Sequence, residues 1–278
     1  MAAFTRVGMT SPADRKGQLV RRVKARLNDL SVDSERERWR ERLSATEEQR
    51  LLARVRAGRD VCWTVDEAEP LVTVRISTYN RADLLMERAL PTALAQSYER
   101  LEVLVIGDAT DEATDKAMRS VADPRVKYLN LPARGLYPED AQLRHRVAGS
   151  HPWNVALALA KGSWIAPLDD DDEFTEDHVA VLLEDARRRR LEMVYSVADL
   201  QRPSGVWEKV GEEPLRAGGI SHGTVLYSLG LRFFSYSMTC HYIPEPNDWN
   251  LWRRMRDAGV RIGFLDRTTF VHHESPHG

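Results

Sequence analysis

The chain has 278 residues, 42% hydrophobic and 29% charged, with a net charge of −2. That is enough for one large domain or two small ones around a substantial core, and gives no general reason to expect nucleic acid as a partner. Cys62 and Cys240 are too far apart for a CxxC framework, and neither an apolar leader nor the roughly 18 apolar residues of a membrane span occurs, so the expected location is cytoplasmic.

Residues 1–60 hold 15 Lys/Arg against 9 Asp/Glu, so the remainder is net acidic. Leu19, Val23, Leu27 and Leu30 recur at helical spacing, and SATEEQRLLARV from Ser44 reads as an N-cap with an acidic first turn and an apolar stripe. Two N-terminal helices are predicted. The plainer expectation is packing on the main domain through their leucines. The alternative is peripheral contact of a basic helical surface with an anionic membrane.

After Pro70 the texture changes. LVTVRIST (71–78) is a strand ending at TYNR, ADLLMERALPTALAQ (82–96) is helical apart from Pro91, and LEVLVIGD (101–108) is a strand ending on Asp108. A helix over 111–122 and a strand over 125–131 follow. WNVALALAKG (153–162) reads as a helix closed by its glycine, SWIAPL (163–168) as a strand, 175–190 as a helix and 191–200 as a strand. Such alternation predicts an α/β domain with a mostly parallel sheet flanked by helices. Ligands bind beyond the carboxyl ends of such strands. Thr78-Tyr79-Asn80, Asp108 and Asp169 to Asp172 all occupy that kind of position.

Four consecutive aspartates repel one another unless a cation offsets them. Mg²⁺ and Mn²⁺ take carboxylate oxygens, and Mg²⁺ is commonly completed by substrate phosphates. An isolated DxD is a weak signal; on a rim with two other polar clusters it is stronger.

LVTVRISTYNRADLLMERALPTALAQSYERLEVLVIGDATDEAT, NVALALAKGSWIAPLDDDDEFTEDHV and NDWNLWRRMRDAGVRIGFLD together resemble family 2 glycosyltransferases, which have the glycosyltransferase A-type fold. The resemblance covers residues 70–273 in the expected order. Residues 1–66 are expected to form an N-terminal helical extension outside it; the resemblance implies a catalytic domain (67–278), whose halves 67–173 and 174–278 bind nucleotide-sugar and acceptor. It further implies a metal-dependent inverting transferase moving a sugar from a nucleotide-diphosphate sugar, UDP-linked by expectation, to a hydroxyl of a glycan or small molecule. Thr78, Tyr79 and Asn80 would line the nucleotide pocket, and Asp108 would contact the base. Asp169 and Asp170 would face the ribose and diphosphate, and Asp171 would hold Mn²⁺ or Mg²⁺. Asp248 falls where inverting members keep a general base; capping of its helix is the competing role. His272 is the C-terminal histidine candidate for the metal, with His273 as the alternative. Arg144 or Arg146, in a long connection that is a candidate lid, would reach the diphosphate. Asp172 matches no role. Two departures stand out: Gly107 precedes Asp108 where the family often has a second aspartate, and Asn247 and Asn250 flank Asp248 where acidic residues are frequent. The aromatics Phe233, Phe234, Tyr236 and Tyr242 fit either acceptor stacking or core, and His222 and Trp207 carry no assigned role. A nucleotide-sugar-forming nucleotidyltransferase and a non-catalytic nucleotide-binding protein are the alternatives; TYNR in place of a Gly-rich loop weighs against the first.

Overall fold

The structure, a computed structural model, describes residues 12–58 and 68–274, with side chains of the first helix from residue 31 onward. Cys62 and the leucine stripe over residues 19–30 lie outside the described side chains.

The N-terminal extension is one helix, α1 (Pro12–Ala57), where two were predicted. The stretch between the two predicted pieces contains neither glycine nor proline. The i,i+3 pairs Asp33–Arg36 and Glu37–Arg40 cross the junction. Ser44 caps nothing; its hydroxyl donates to the Glu41 carbonyl inside the helix. Packing on the main domain holds, and among the described side chains of α1 acidic residues rather than leucines do most of it. Glu37 and Glu48 are buried while Leu43 is 66% exposed, and Leu52 alone among the described leucines of α1 is fully buried.

The main domain begins with β1 (Val72–Thr78), followed by a helical run over 82–94: α2 (Ala82–Leu84), a π-turn (Leu85–Ala89) and α3 (Leu90–Leu94). Pro91 sits in the first turn of α3, just after the π-turn in which Leu90 N–H reaches Leu85 O, so its missing donor interrupts nothing. Then come β2 (Leu101–Gly107), α4 (Glu112–Arg119), β3 (Val126–Asn130), α5 (Ala141–His145), α6 (Ser150–Leu159) and β4 (Trp164–Asp169). α6 ends at Ala160, so Gly162 is not its cap. A Cβ at Gly162 would come within 2.5 Å of the Thr73 nitrogen, and this close approach to β1 explains the glycine. The remaining elements are β5 (Glu173–Phe174), α7 (His178–Arg189), β6 (Met193–Gln201), β7 (Trp207–Val210), a 3₁₀ turn (His222–Thr224), β8 (Val225–Ser228), α8 (Asn247–Ala258) and β9 (Ile262–His272).

The sheet runs β3-β2-β1-β4-β8-β6-β9-β5, with β7 on β6. Pairings are parallel from β3 through β4 and again between β6 and β9, and antiparallel where β8, β5 and β7 join. Val72, Val74 and Ile76 face one core with α3 and α7. The opposite face is filled by Trp153, Ile165, Tyr195, Tyr227 and Trp252. Phe234 and Tyr236 are fully buried, which places them in the core rather than in an acceptor surface. Among the described residues no helix is long and apolar enough to cross a membrane.

Candidate active site

Register brings the three polar clusters onto one rim. Thr78 pairs with Gly107 and Ser77 with Asp169, so the carboxyl ends of β2, β1 and β4 stand side by side. Asp108 N–H donates to Thr78 O at 2.9 Å, which fixes the crevice between them.

At the β1–β2 end, Tyr79 is 38% exposed and carries the Arg134 guanidinium 3.6 Å from its ring centroid. Asp108 is buried, accepting the Gly135 N–H at 3.0 Å and the Tyr137 hydroxyl at 2.7 Å. Burial and then the Asp108 charge push the Tyr137 phenol well above its ordinary range. The long connection after β3 therefore lies directly over Tyr79 and Asp108. Asn80 sits in the left-handed region at φ 54°. Its side chain turns to the neighbouring loop, accepting Asp111 N–H at 2.8 Å and the Thr110 hydroxyl at 3.2 Å. Its observed contacts tie β1 to the start of α4. A Cβ at Gly107 would lie 2.8 Å from Asn130 Oδ1 and 2.9 Å from Thr110 Cγ2, so an aspartate there would require the Asn130 and Thr110 side chains to shift.

At the acidic end the four aspartates have four different environments. Asp169 Oδ2 lies 3.1 Å from His222 Nδ1. Burial opposes its ionisation, but His222 and Arg75 more than offset this and keep it below the usual carboxylate range. Asp170 is buried and pushed up to about 7, by burial first and then by the Asp171 charge, against Arg81. Asp171 Oδ2 meets Arg81 Nη1 at 2.7 Å, and its carbonyl accepts from Arg88 at 3.0 Å. Asp172, which matched no role, fastens the end of β9: it accepts from His272 Nδ1 at 2.9 Å and from the His273 N–H at 3.0 Å. Burial alone would lower the His272 pKa, but the Asp172 hydrogen bond and charge raise it to about 9. His273 turns to Glu173 at 2.7 Å.

Asp248 stands in the first turn of α8, whose N-cap is Pro246 with no side-chain capping bond. Its Oδ1 accepts the adjacent Trp249 N–H at 2.6 Å. Burial raises its pKa, the bond from the Trp249 N–H lowers it and the Asp169 charge raises it, so Asp248 lies within electrostatic reach of Asp169. The flanking asparagines are structural. Asn247 donates to Ala148 O and Ser150 Oγ, and Asn250 reaches Glu41 of α1 and Glu245.

The expected arginines behave differently. Arg144 donates to the Glu139 carbonyl at 2.9 Å, and Arg146 offers its carbonyl to Asn247 N–H at 2.8 Å. Arg81 is the cation found on the carboxylates. It follows Asn80 directly in TYNR, so the motif itself carried the signal. His222 was named without a role, and Arg75 was missed; a lone arginine inside the apolar run VTVRIST was the available clue. Among the described residues no group of three or more His, Cys, Asp or Glu side chains is placed to hold a metal ion by itself.

These observations agree with the relatives. Residues 73–138 match the sequence model of Glycosyl transferase family 2. The chain is 34% identical over 117 residues to the succinoglycan biosynthesis protein ExoO of Rhizobium meliloti (strain 1021), a match covering 42% of this chain and 30% of that protein. It is 24% identical over 199 residues to the Escherichia coli UDP-Glc:alpha-D-GlcNAc-diphosphoundecaprenol beta-1,3-glucosyltransferase WfaP, covering 69% of this chain and 72% of that one. The ExoO match, like that to the putative colanic acid biosynthesis glycosyl transferase WcaA of Escherichia coli (strain K12), spans only about a third of the relative's length. Among solved structures, S. aureus TarS 1-349 in complex with UDP superposes with TM-score 0.57 at 18% identity, over 74% of this chain and 61% of that one. The mannosyltransferase PcManGT of Pyrobaculum calidifontis, solved with GDP-Man and Mn2+, gives 0.56 at 19% identity, over 90% of this chain and 70% of that one. The fold is the glycosyltransferase A type. Over residues 73–138 the chain is similar to family 2 glycosyltransferases.

Proposed function

We propose that this chain is a metal-dependent inverting glycosyltransferase. It would move a sugar from a nucleotide-diphosphate sugar, UDP-linked, to an acceptor hydroxyl by direct displacement, with Asp248 as general base. The observation that carries the reading is the placement of Asp248 within electrostatic reach of Asp169, at the end of the acidic rim. A nucleotide donor bound on that rim would then lie beside a carboxylate able to deprotonate the acceptor. Displacement with inversion needs the base on the sugar face opposite the diphosphate. A carboxylate whose pKa burial has raised is a better proton acceptor at neutral pH than an ordinary aspartate.

Thr78, Tyr79 and Asp108 would hold the nucleoside, with Asp108 exchanging its bonds to Gly135 and Tyr137 for the base edge. Asp169 and Asp170 would take the ribose and diphosphate side. Asp170 is pushed up to about 7 even with Arg81 beside it, the mark of a crowded, buried acidic rim, which suits a divalent cation. Asp171 and the Nε2 of His272 would hold Mn²⁺ or Mg²⁺, with diphosphate oxygens and water completing the shell. When bound, the ion supplies Lewis-acid neutralisation of the leaving diphosphate.

The test is a panel of nucleotide-diphosphate sugars with candidate glycan and small-molecule acceptors, with and without Mn²⁺, read as nucleoside diphosphate released and product configuration. Retained configuration, or full turnover by Asp248→Asn, would overturn the assignment.

A further inference from the structure

Arg75 lies in the middle of β1 and is 1% exposed, an unusual position for an arginine in a sheet core. Its Nη2 stands 2.7 Å from His222 Nε2 and bonds the Tyr236 hydroxyl. The guanidinium rests 4.9 Å from the ring centroids of both Trp153 and Tyr236. His222 is itself buried, with its ring centroid 4.3 Å from that of Trp153, and its other nitrogen, Nδ1, is 3.1 Å from Asp169 Oδ2.

A guanidinium only donates, so His222 Nε2 in contact with it must be an acceptor without a proton. A neutral imidazole then carries its proton on Nδ1, where it points at Asp169. A second proton on Nε2 would set an N–H against the N–H of a buried cation. Tyr236 completes the arrangement, its hydroxyl 3.1 Å from Nε2 and in contact with Arg75. Asp169 is thereby held by a donor whose direction is set inside the core.

We infer that Arg75 and His222 form a fixed-tautomer clamp, in which His222 is a positioning residue that orients the Asp169 carboxylate toward the donor. The functional half of this inference rests on the glycosyltransferase reading; the tautomer does not. Outer-shell partners of this kind typically change affinity by about 10–100-fold when removed.

The test has two arms on the full chain. In the ligand-free protein, ¹⁵N spectra of labelled histidine, with the His222 signals assigned by their loss in His222→Asn, are expected to show a protonated Nδ1 and a bare Nε2. A proton on Nε2 overturns the clamp. In the second arm, UDP with Mn²⁺ is titrated calorimetrically into variants whose thermal unfolding is also recorded. His222→Leu is expected to weaken UDP about tenfold. His222→Asn keeps an amide N–H near the Nδ1 position and should stay within about threefold of the unaltered chain. The double variant His222→Leu/Asp169→Asn should bind no worse than Asp169→Asn alone, because the two residues act through one contact. Additive losses, or equal losses for Leu and Asn, overturn the positioning role. A chain that binds no UDP at all overturns the proposed function instead, while the spectrum still decides the tautomer.

Discussion

Arg81 Nη1 lies 2.7 Å from Asp171 Oδ2 and 3.3 Å from Asp170 Oδ1, so the acidic rim of the ligand-free chain holds its own counterion. A divalent cation at Asp171 competes with that guanidinium, and a diphosphate arriving with the cation gives Arg81 a new anionic partner. Arg81→Met is therefore expected to tighten Mn²⁺ binding to the ligand-free chain while weakening UDP binding in the presence of Mn²⁺. Electron paramagnetic resonance of free Mn²⁺ and UDP calorimetry read the two effects separately. Weaker Mn²⁺ binding by the variant would show that Arg81 does not compete for the carboxylate.

Asp248 allows a sharp separation of function from stability. Its raised pKa means that the fold disfavours the ionised form, chiefly through burial. Asp248→Asn keeps an acceptor for the Trp249 N–H and removes the buried charge, so its melting temperature at pH 7 should equal or exceed that of the unaltered chain. Transfer should fall by at least about 10²-fold, the usual scale of a general base. In the unaltered enzyme, kcat/KM is expected to fall with decreasing pH on a limb above the ordinary aspartate range, since the base must be ionised to accept a proton. A residue whose only task was to steady α8 would instead lower stability when replaced and leave the acidic limb in place.

The extension α1 is held by charge. Glu48 pairs with Arg254, whose side chains are 7% and 13% exposed, and Glu41 pairs with Arg253 at 2.8 Å. Arg56 reaches the fully buried Glu192 at 2.7 Å from the far end of the helix. Removing one partner of a buried pair strands the other, so Glu48→Ala should cost about 3 kcal/mol in urea unfolding. Glu47→Ala, whose ion pair with Arg50 is exposed, should change stability by no more than about 0.5 kcal/mol. Equal effects would mean that α1 does not dock through these charges.

His178 predicts a pH dependence of stability. It is fully buried, stacked 3.8 Å from the Phe174 ring and bonded through Nδ1 to Thr269, and burial lowers its pKa to about 3. The unfolded chain takes up a proton near pH 6.5 and the folded chain does not. Stability is therefore lost as pH falls below 6.5, by up to about 1.4 kcal/mol per unit. Asp170, pushed up to about 7, takes up a proton in the folded chain over the same range and opposes this slope, so the His178 share is read as the difference in urea midpoints between the unaltered chain and His178→Gln from pH 7 to 5. An unchanged slope in the variant would assign it to other groups.

How much of this was legible beforehand differs by element. β1, β2, β4 and β6 could be read from apolar, β-branched runs, because a strand buried on both faces needs such side chains whatever it pairs with, whereas β3, at the sheet edge, alternates half-buried and exposed residues. The placement of Thr78, Asp108 and Asp169 to Asp172 on one rim followed from strand ends alone, since parallel strands share their carboxyl side. The junction in α1 was misread because two amphipathic stripes resemble two helices when only periodicity is considered. Gly162 was misread as a cap because glycine has the same letter whether it turns a chain or lets two chains touch.

What the sequence determined by itself was therefore the alternation of elements and the chemical character of the rim. Only the tertiary structure decided which partners each carboxylate has. His222 meets Asp169 across 53 residues, His272 meets Asp172 across 100, and Arg75 meets His222 across 147. Periodicity reports which face of an element is buried, but carries nothing about what arrives there from elsewhere in the chain. For that reason four adjacent aspartates, indistinguishable as letters, resolve into one clamped by His222, two sharing Arg81 and one that fastens the end of β9.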